Sequence, residues 1–215
     1  MPHVLVASLP YLLQGALVTL WLSMLVVGVG TLLGTGIGIL ATVSRLTVQR
    51  LITAYVFILR GVPILVVMFL GYYLFPAVGY RVNAYVAVGA AQIVYVSAFV
   101  AEIIRSAIAS VPPTQIAAAK GLGMRRGAIL REVILPQATR IAIAPILNNS
   151  LTAIKQTSYA SVVGVWELTY AAREVVERTL ASFQIFLGVM AIYFIICYPL
   201  SLLARWWERR SLIVQ

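Results

Sequence analysis

The chain has 215 residues, of which 62% are hydrophobic and only 10% charged, and its mean hydropathy is +0.99. A soluble domain carries about 25% charged residues, so that class is excluded, and apolar runs of roughly eighteen or more read as membrane spans. The net charge of +10 would suggest nucleic acid. The basic residues instead fall in short segments between apolar runs, where Lys and Arg fix the cytoplasmic side, so no nucleic acid is expected.

Cys197, the single cysteine, lies in an apolar run and leaves no disulfide framework. His3 is the only histidine and Asp is absent, so no His/Cys metal cluster and no nucleophilic triad is expected. The N-terminal apolar run has no basic lead and is too long for a cleaved signal peptide.

From Val4 to Ser44 there is no charge. Pro10 and Gln14-Gly15 mark the entrance of a first span over about 15–43. Its glycines give G-x-x-x-G spacings at 30/34 and 34/38, and small residues one turn apart allow close helix approach. A loose G-x-G-x-x-A match at 36–41 follows no strand, so a dinucleotide reading fails. Arg45 and Arg50 place the next turn inside and the N-terminus outside. A second span covers about 55–78, interrupted by Arg60-Gly61-Val62-Pro63, where Pro63 invites a kink. A third, about 84–108, carries Gln92, Tyr95 and Ser97 and ends near Glu102 and Arg105.

Pro112-Pro113 then release the chain into a loop over about 112–136. Thr114 to Pro136 holds Lys120, Arg125, Arg126 and Arg131 against one acid, Glu132. Thr114 is placed to cap a short helix, Ala117, Ala118 and Ala119 offer it a surface without bulk, and Gly123 suits its left-handed end. Arg125 and Arg126 follow at the helix exit, where positive charge is favoured. Two readings stand for this segment: a handle that a soluble partner grips, or an ordinary positive inner loop.

A fourth helical region runs from Pro136 to about 158. Asn148, Thr152, Lys155 and Tyr159 share one of its faces, and an ionisable group within a span usually meets a cavity or a partner. Lys155 fits a pathway or gate position, with snorkelling to water as the alternative. About 164–180 reads as an amphipathic helix on the outer surface, with Glu167, Arg173, Glu174, Glu177 and Arg178 on the polar face and i,i+4 pairs at 173/177 and 174/178. The last span, about 183–204, ends in the aromatic and basic anchor Arg205 to Arg210. With ten basic residues inside against three outside, the expected fold is all-α, with about five membrane spans, N-terminus out and C-terminus in, forming one membrane domain over 1–215. Arg60, Glu102 and Arg105 near the inner ends make either an inner gate or structural glue. Tyr95 and Ser97 are weaker lining candidates.

The pattern Ala118, Ala119, Gly123, then Val133, Leu135 and Pro136, resembles the cytoplasmic signature loop of permease subunits of ATP-binding-cassette importers. Leu59 to Pro63, Glu102 to Arg105, Leu135 to Ala138, Asn148-Asn149 and Lys155 to Ser158 resemble the polar-amino-acid branch, in the expected order along nearly the whole chain. The resemblance implies a bacterial inner-membrane importer subunit without catalysis of its own. It implies that Thr114, Ala117, Ala118, Ala119, Gly123, Met124, Arg125 and Arg126 couple to a separate ATPase pair, which binds the ATP and Mg. Arg60, Tyr95, Ser97, Glu102, Asn148, Thr152, Lys155, Thr157 and Ser158 are the candidates for path or gate. Implied partners are a second permease, an external solute-binding protein, an amino acid and membrane lipids. The family pattern has Glu where this chain has Ala117, which would remove a capping box with Thr114 at about 1 kcal/mol. An ion-coupled secondary transporter is the rival reading, with only Glu102 to serve as coupling carboxylate. A membrane-embedded enzyme would need a convergent catalytic set, which the sequence lacks.

Overall fold

The computed structural model describes residues 2–212, with side chains over 4–210. The elements are helices α1 (Pro2–Val43), α2 (Leu46–Gly61), α3 (Ile64–Ala77), α4 (Ala84–Ala109), α5 (Pro113–Gly121), α6 (Arg126–Ala128), α7 (Leu135–Gln156), α8 (Leu168–Thr179) and α9 (Ser182–Leu212). A π-helical stretch, Ile129–Ile134, joins α6 to α7, and a 3-10 stretch, Thr157–Val163, follows α7. The described residues contain no strand.

Three helices are long and apolar enough to cross a membrane, within Val4–Val43, Ala84–Ala109 and Ser182–Arg210. The pair α2 and α3 passes only when taken together, across a bend of 107°. The anticipated kink is thus a break: Val62 and Pro63 are both extended, since the proline ring excludes helical backbone at the preceding residue. That makes three or four helices by length and apolarity, beside the expected five spans. The remaining candidate, α7, is the most polar, carrying Arg140, Asn148, Asn149 and Lys155. The first helix also begins well before residue 15, with Pro10 inside it, and α9 continues through Arg205 to Arg210.

The core is organised around α4, whose buried residues face several sides at once. Val88, Val96, Val100 and Ile104 pack with Leu22 and Val26 of α1, Val67 and Met68 of α3, and Ala138 and Ala142 of the α7 segment. The glycine spacing of α1 is what admits this approach. A Cβ on Gly34 would stand 2.6 Å from the Ser97 carbonyl oxygen, and one on Gly38 would stand 2.7 Å from that of Ala101.

A second cluster joins α1, α8 and α9 through Leu12, Ala16, Leu168, Ala172, Val175, Ile185 and Val189. The apolar stripe of α8 is therefore covered by protein, and the polar stripe differs from the sequence pattern. Glu167 is 0% exposed: as the helix N-cap it turns inward, Oε1 accepting from the Tyr170 N–H at 2.9 Å. Arg178 reaches Glu174 at 3.9 Å, but Arg173 stands over the Tyr170 ring at 6.0 Å rather than pairing with Glu177.

Candidate functional site

The site begins at the elbow after α4. That helix ends at Ala109, and Pro113 starts α5 with its fixed φ at the first helical turn, where its missing N–H costs nothing. The N-cap is thereby Pro112, not Thr114. Thr114 lies inside the first turn and exposed, so the capping box that Glu at 117 was expected to complete has no N-cap hydroxyl to pair with. At the other end Gly123 takes φ +76°. Its N–H bonds to the Lys120 carbonyl at 2.9 Å and the Met124 N–H to that of Ala119 at 3.1 Å, the paired closure of a Schellman motif.

This short rod turns Ala119 inward, 4% exposed, while Ala117 and Ala118 face out and Leu122 is 82% exposed. Gln137 Nε2 donates to Gln115 Oε1 at 2.6 Å, tying α5 to the start of α7. Arg125 is the extended N-cap of α6 and Arg126 its first residue, both exposed, with Met124 half-buried before them. They stand at a helix entrance rather than the exit, so the backbone dipole there adds to their positive charge instead of offsetting it. An anionic or hydrogen-bond-accepting surface on a partner is what such an end attracts.

An open cavity of about 330 Å3 has walls that include Arg60, Glu102, Ser106, Ser110, Ile141 and Pro145. Glu102 is gripped by Arg105 of its own helix, Nε to Oε2 at 2.9 Å and NH2 to Oε1 at 2.6 Å. Arg60, at the last turn of α2, approaches the same carboxylate at 3.7 Å and lies over the Phe99 ring at 5.8 Å. The structure therefore brings Arg60, Glu102 and Arg105 together as a two-to-one cluster bridging α2 and α4.

Tyr95 and Ser97 stand elsewhere. Tyr95 is buried against Phe99, ring centroids 4.9 Å apart, and the Ser97 hydroxyl is 2.7 Å from Tyr55 OH of α2; both are buried within the bundle. Asn148, Thr152, Lys155 and Tyr159 do share an exposed face of α7 and its extension. Thr157 is buried and Ser158 half-buried, each donating to a backbone carbonyl three residues back, Ile154 at 2.7 Å and Lys155 at 2.8 Å. These bonds tighten the turn where α7 becomes 3-10.

Two acids that the sequence did not place among the candidate site residues are central to the geometry. Glu208 Oε1 accepts from Asn148 Nδ2 at 2.8 Å, and Trp207 Nε1 donates to the Arg140 carbonyl at 3.2 Å, so the aromatic and basic end of α9 clasps α7. Its lone acid among basic neighbours was the available signal. Glu167 gathers α1, α8 and α9: Thr19 Oγ1 and Tyr193 OH lie 3.1 and 3.3 Å from Oε2. Burial pushes its carboxyl above the ordinary range, against the lowering effect of these donors. Glu174 behaves oppositely, held below the ordinary range by the hydrogen bond from Tyr11 and further by Trp166 and Arg178.

The profile of the family described as binding-protein-dependent transport system inner membrane component matches residues 30–212. The chain is 36% identical over 178 residues to the probable glutamine ABC transporter permease protein GlnM of Bacillus subtilis, covering 81% of this chain and 82% of that protein. It is 39% identical over 173 residues to the L-cystine transport system permease protein TcyB of the same organism, covering 80% and 74%. A crystal structure of an amino acid ABC transporter with histidines superposes with a TM-score of 0.89 at 33% identity, covering 95% of this chain and 96% of that one. A helical bundle with a glycine-closed elbow, matched over most of its length, belongs to the family of inner membrane components of binding-protein-dependent transport systems.

Proposed function

We propose that this chain forms half of the translocation path of an ATP-driven importer for polar or charged amino acids and transmits force from a separate ATPase through the elbow. The chain itself is a transport subunit and not an enzyme. The observation that carries the reading is the elbow: α5 presents Ala117, Ala118 and Leu122 outward and is closed by a left-handed Gly123. The amino-acid class is supported by the glutamine and cystine permeases the chain resembles.

In this scheme the elbow faces the cytosol, the N-terminus lies outside, and α7 supplies the fourth of five crossings of a bacterial inner membrane. An ATPase dimer holding ATP and Mg closes beneath two permeases and moves both elbows. Thr114, Ala117, Ala118, Ala119, Gly123, Met124, Arg125 and Arg126 form the contacted segment. Arg60, Glu102, Asn148, Thr152 and Lys155 line the path or its inner gate, while Tyr95, Ser97, Thr157 and Ser158 support its walls. An external solute-binding protein delivers the amino acid.

The test is uptake of L-glutamine and L-cystine into proteoliposomes holding the permease with its co-purified subunits and the solute-binding protein. Accumulation that requires internal ATP is expected. Accumulation driven by an ion gradient without nucleotide would replace this reading with a secondary transporter.

A further inference from the structure

The elbow joins two helices, α4 ending before it at Ala109 and α7 starting after it at Leu135. They run antiparallel. Their elbow ends share the cavity through Ile103, Ala107, Ile141 and Ala142, and farther out Gln92 Nε2 donates to the Ala153 carbonyl at 2.9 Å. Among the described residues this is the only hydrogen bond that a side chain supplies between α4 and α7. Gln92 is 0% exposed.

The Gln92 amide is only half used. Its Oε1 is buried without a partner, and so is Nδ2 of Asn149 on α7. Asn149 is one turn nearer the elbow than Ala153, on the same stripe as Ala138 and Ala142, which belong to the core cluster with Ile104 and Ala107 of α4. Counting one turn toward the elbow on both helices from the Gln92 bond sets Asn149 opposite Val96, whose side chain offers no acceptor. An unpaired acceptor on α4 and an unpaired donor on α7 thus stand one helical turn out of register, about 6 Å. Burying both unpaired is costly, and in a static seam neither amide would improve on an apolar residue of similar size.

We infer that Gln92 and Asn149 are positioning residues for ATP-driven transport, setting two registers of α7 against α4. The inference rests on force entering at the elbow, as proposed above. In the register seen here Gln92 holds the Ala153 carbonyl. In the other, α7 has moved away from the elbow by up to one turn, and Asn149 Nδ2 donates to Gln92 Oε1. A push on α5 acts in that direction, because Gln115 and Gln137 tie α5 to the start of α7 at 2.6 Å. Packed helices switch by such one-turn steps, and Ala138, Ala142 and Ala153 leave little on the sliding stripe to catch. The face carrying Asn148, Thr152 and Lys155 moves with α7, so each change of register displaces it relative to α4.

The test uses the permease with its co-purified ATPase and solute-binding protein, in a Cys197→Ser background. Ile103→Cys with Ala142→Cys reports the present register, and Ile103→Cys with Ala138→Cys the shifted one; neither pair touches the two amides. A short bismaleimide should link the first pair at least fivefold faster without nucleotide, and the second at least fivefold faster with ATP and vanadate. Gln92→Met or Asn149→Leu added to the second pair should abolish its response to nucleotide. Each substitution in the unlabelled chain should lower maximal uptake at least tenfold, with half-saturating solute within twofold and the melting temperature equal or higher. The double variant should lose no more than the worse single one. ATP-dependent uptake with both pairs linking at the same rates in either condition overturns the change of register and leaves the importer reading standing. Uptake by the unaltered chain without ATP removes that reading, and the proposal with it. Melting temperatures lowered by both substitutions would reduce the amides to packing, and multiplied losses in the double variant would show that they never meet; either result overturns the proposal.

Discussion

Gly123 is the residue at which elbow geometry and backbone chemistry meet most directly. Its φ of +76° is a conformation L side chains rarely adopt, yet nothing lies within 4 Å of the place a Cβ would occupy. Substitution there strains the backbone by about 1–2 kcal/mol without a steric clash, so the bundle should fold while the Schellman closure loosens. Gly123→Val is expected to assemble normally but lose at least tenfold in ATP-driven uptake, with Gly123→Asn intermediate because Asn tolerates the left-handed region. Equal uptake by all three chains would separate the elbow from coupling. Glu167 offers a different test, in pH. Because burial raises its carboxyl in the fold, its contribution is fully present below the unfolded value, about 4.3. That contribution is lost as pH rises toward the raised value. Glu167→Gln keeps an acceptor for the Tyr170 N–H without an ionisation to suppress. Thermal melting in detergent from pH 4 to 8 should show the native chain falling relative to Glu167→Gln as pH rises; parallel curves would mean the carboxyl is not perturbed.

At the scale of elements, the α1–α4 seam explains why the sequence was readable in some places and opaque in others. The spacing of Gly30, Gly34 and Gly38 announced a close helix contact, and the structure supplies the facing residues, Val96, Ser97, Val100, Ala101 and Ile104. Gly28 and Gly36 sit on the same helix with open space before them. Gly34→Ala should therefore destabilise by about 1–3 kcal/mol through overpacking, whereas Gly36→Ala should be neutral or gain up to about 1 kcal/mol from helix propensity. Melting temperatures of the two variants check this, and equal shifts would sink the seam. Composition and periodicity carried the membrane class and the helical content, because each depends on local chemistry alone, while the order of motifs came from the family resemblance. The 107° break between α2 and α3 did not follow from Pro63, since a proline fixes its own φ but not the direction the next helix takes. Thr114 was misread as a cap because Pro113 starts the helix two residues earlier than the hydroxyl would. Glu167 was misplaced on the polar face because periodicity assigns a face to helical residues, and an N-cap lies outside that rule. The bond from Asn148 to Glu208, sixty residues away, has no local signature at all.

For the molecule as a whole, the open question is what covers the exposed polar face of α7. Asn148, Thr152, Lys155 and Tyr159 are all exposed, and among the described residues Lys155 makes no ion pair. Leaving a lysine against hydrocarbon costs about 2.5–3.5 kcal/mol even on lenient insertion scales, so a lipid-facing position is the least stable of the possibilities. The apolar residues of α9, such as Phe194 at 62% exposure, meet lipid without that penalty. The two faces should therefore differ in access to water. In a Cys197→Ser background, Thr152→Cys is expected to react with a membrane-impermeant maleimide in intact complexes, at least tenfold faster than Phe194→Cys. Adding nucleotide should change the Thr152→Cys rate and leave the Phe194→Cys rate alone, because only a path whose two ends open in turn alters its exposure during the cycle. If both positions are inert until the membrane is dissolved, the polar face is sealed and the route for solute lies elsewhere. If Thr152→Cys reacts at one rate regardless of nucleotide, the face is wet but takes no part in gating.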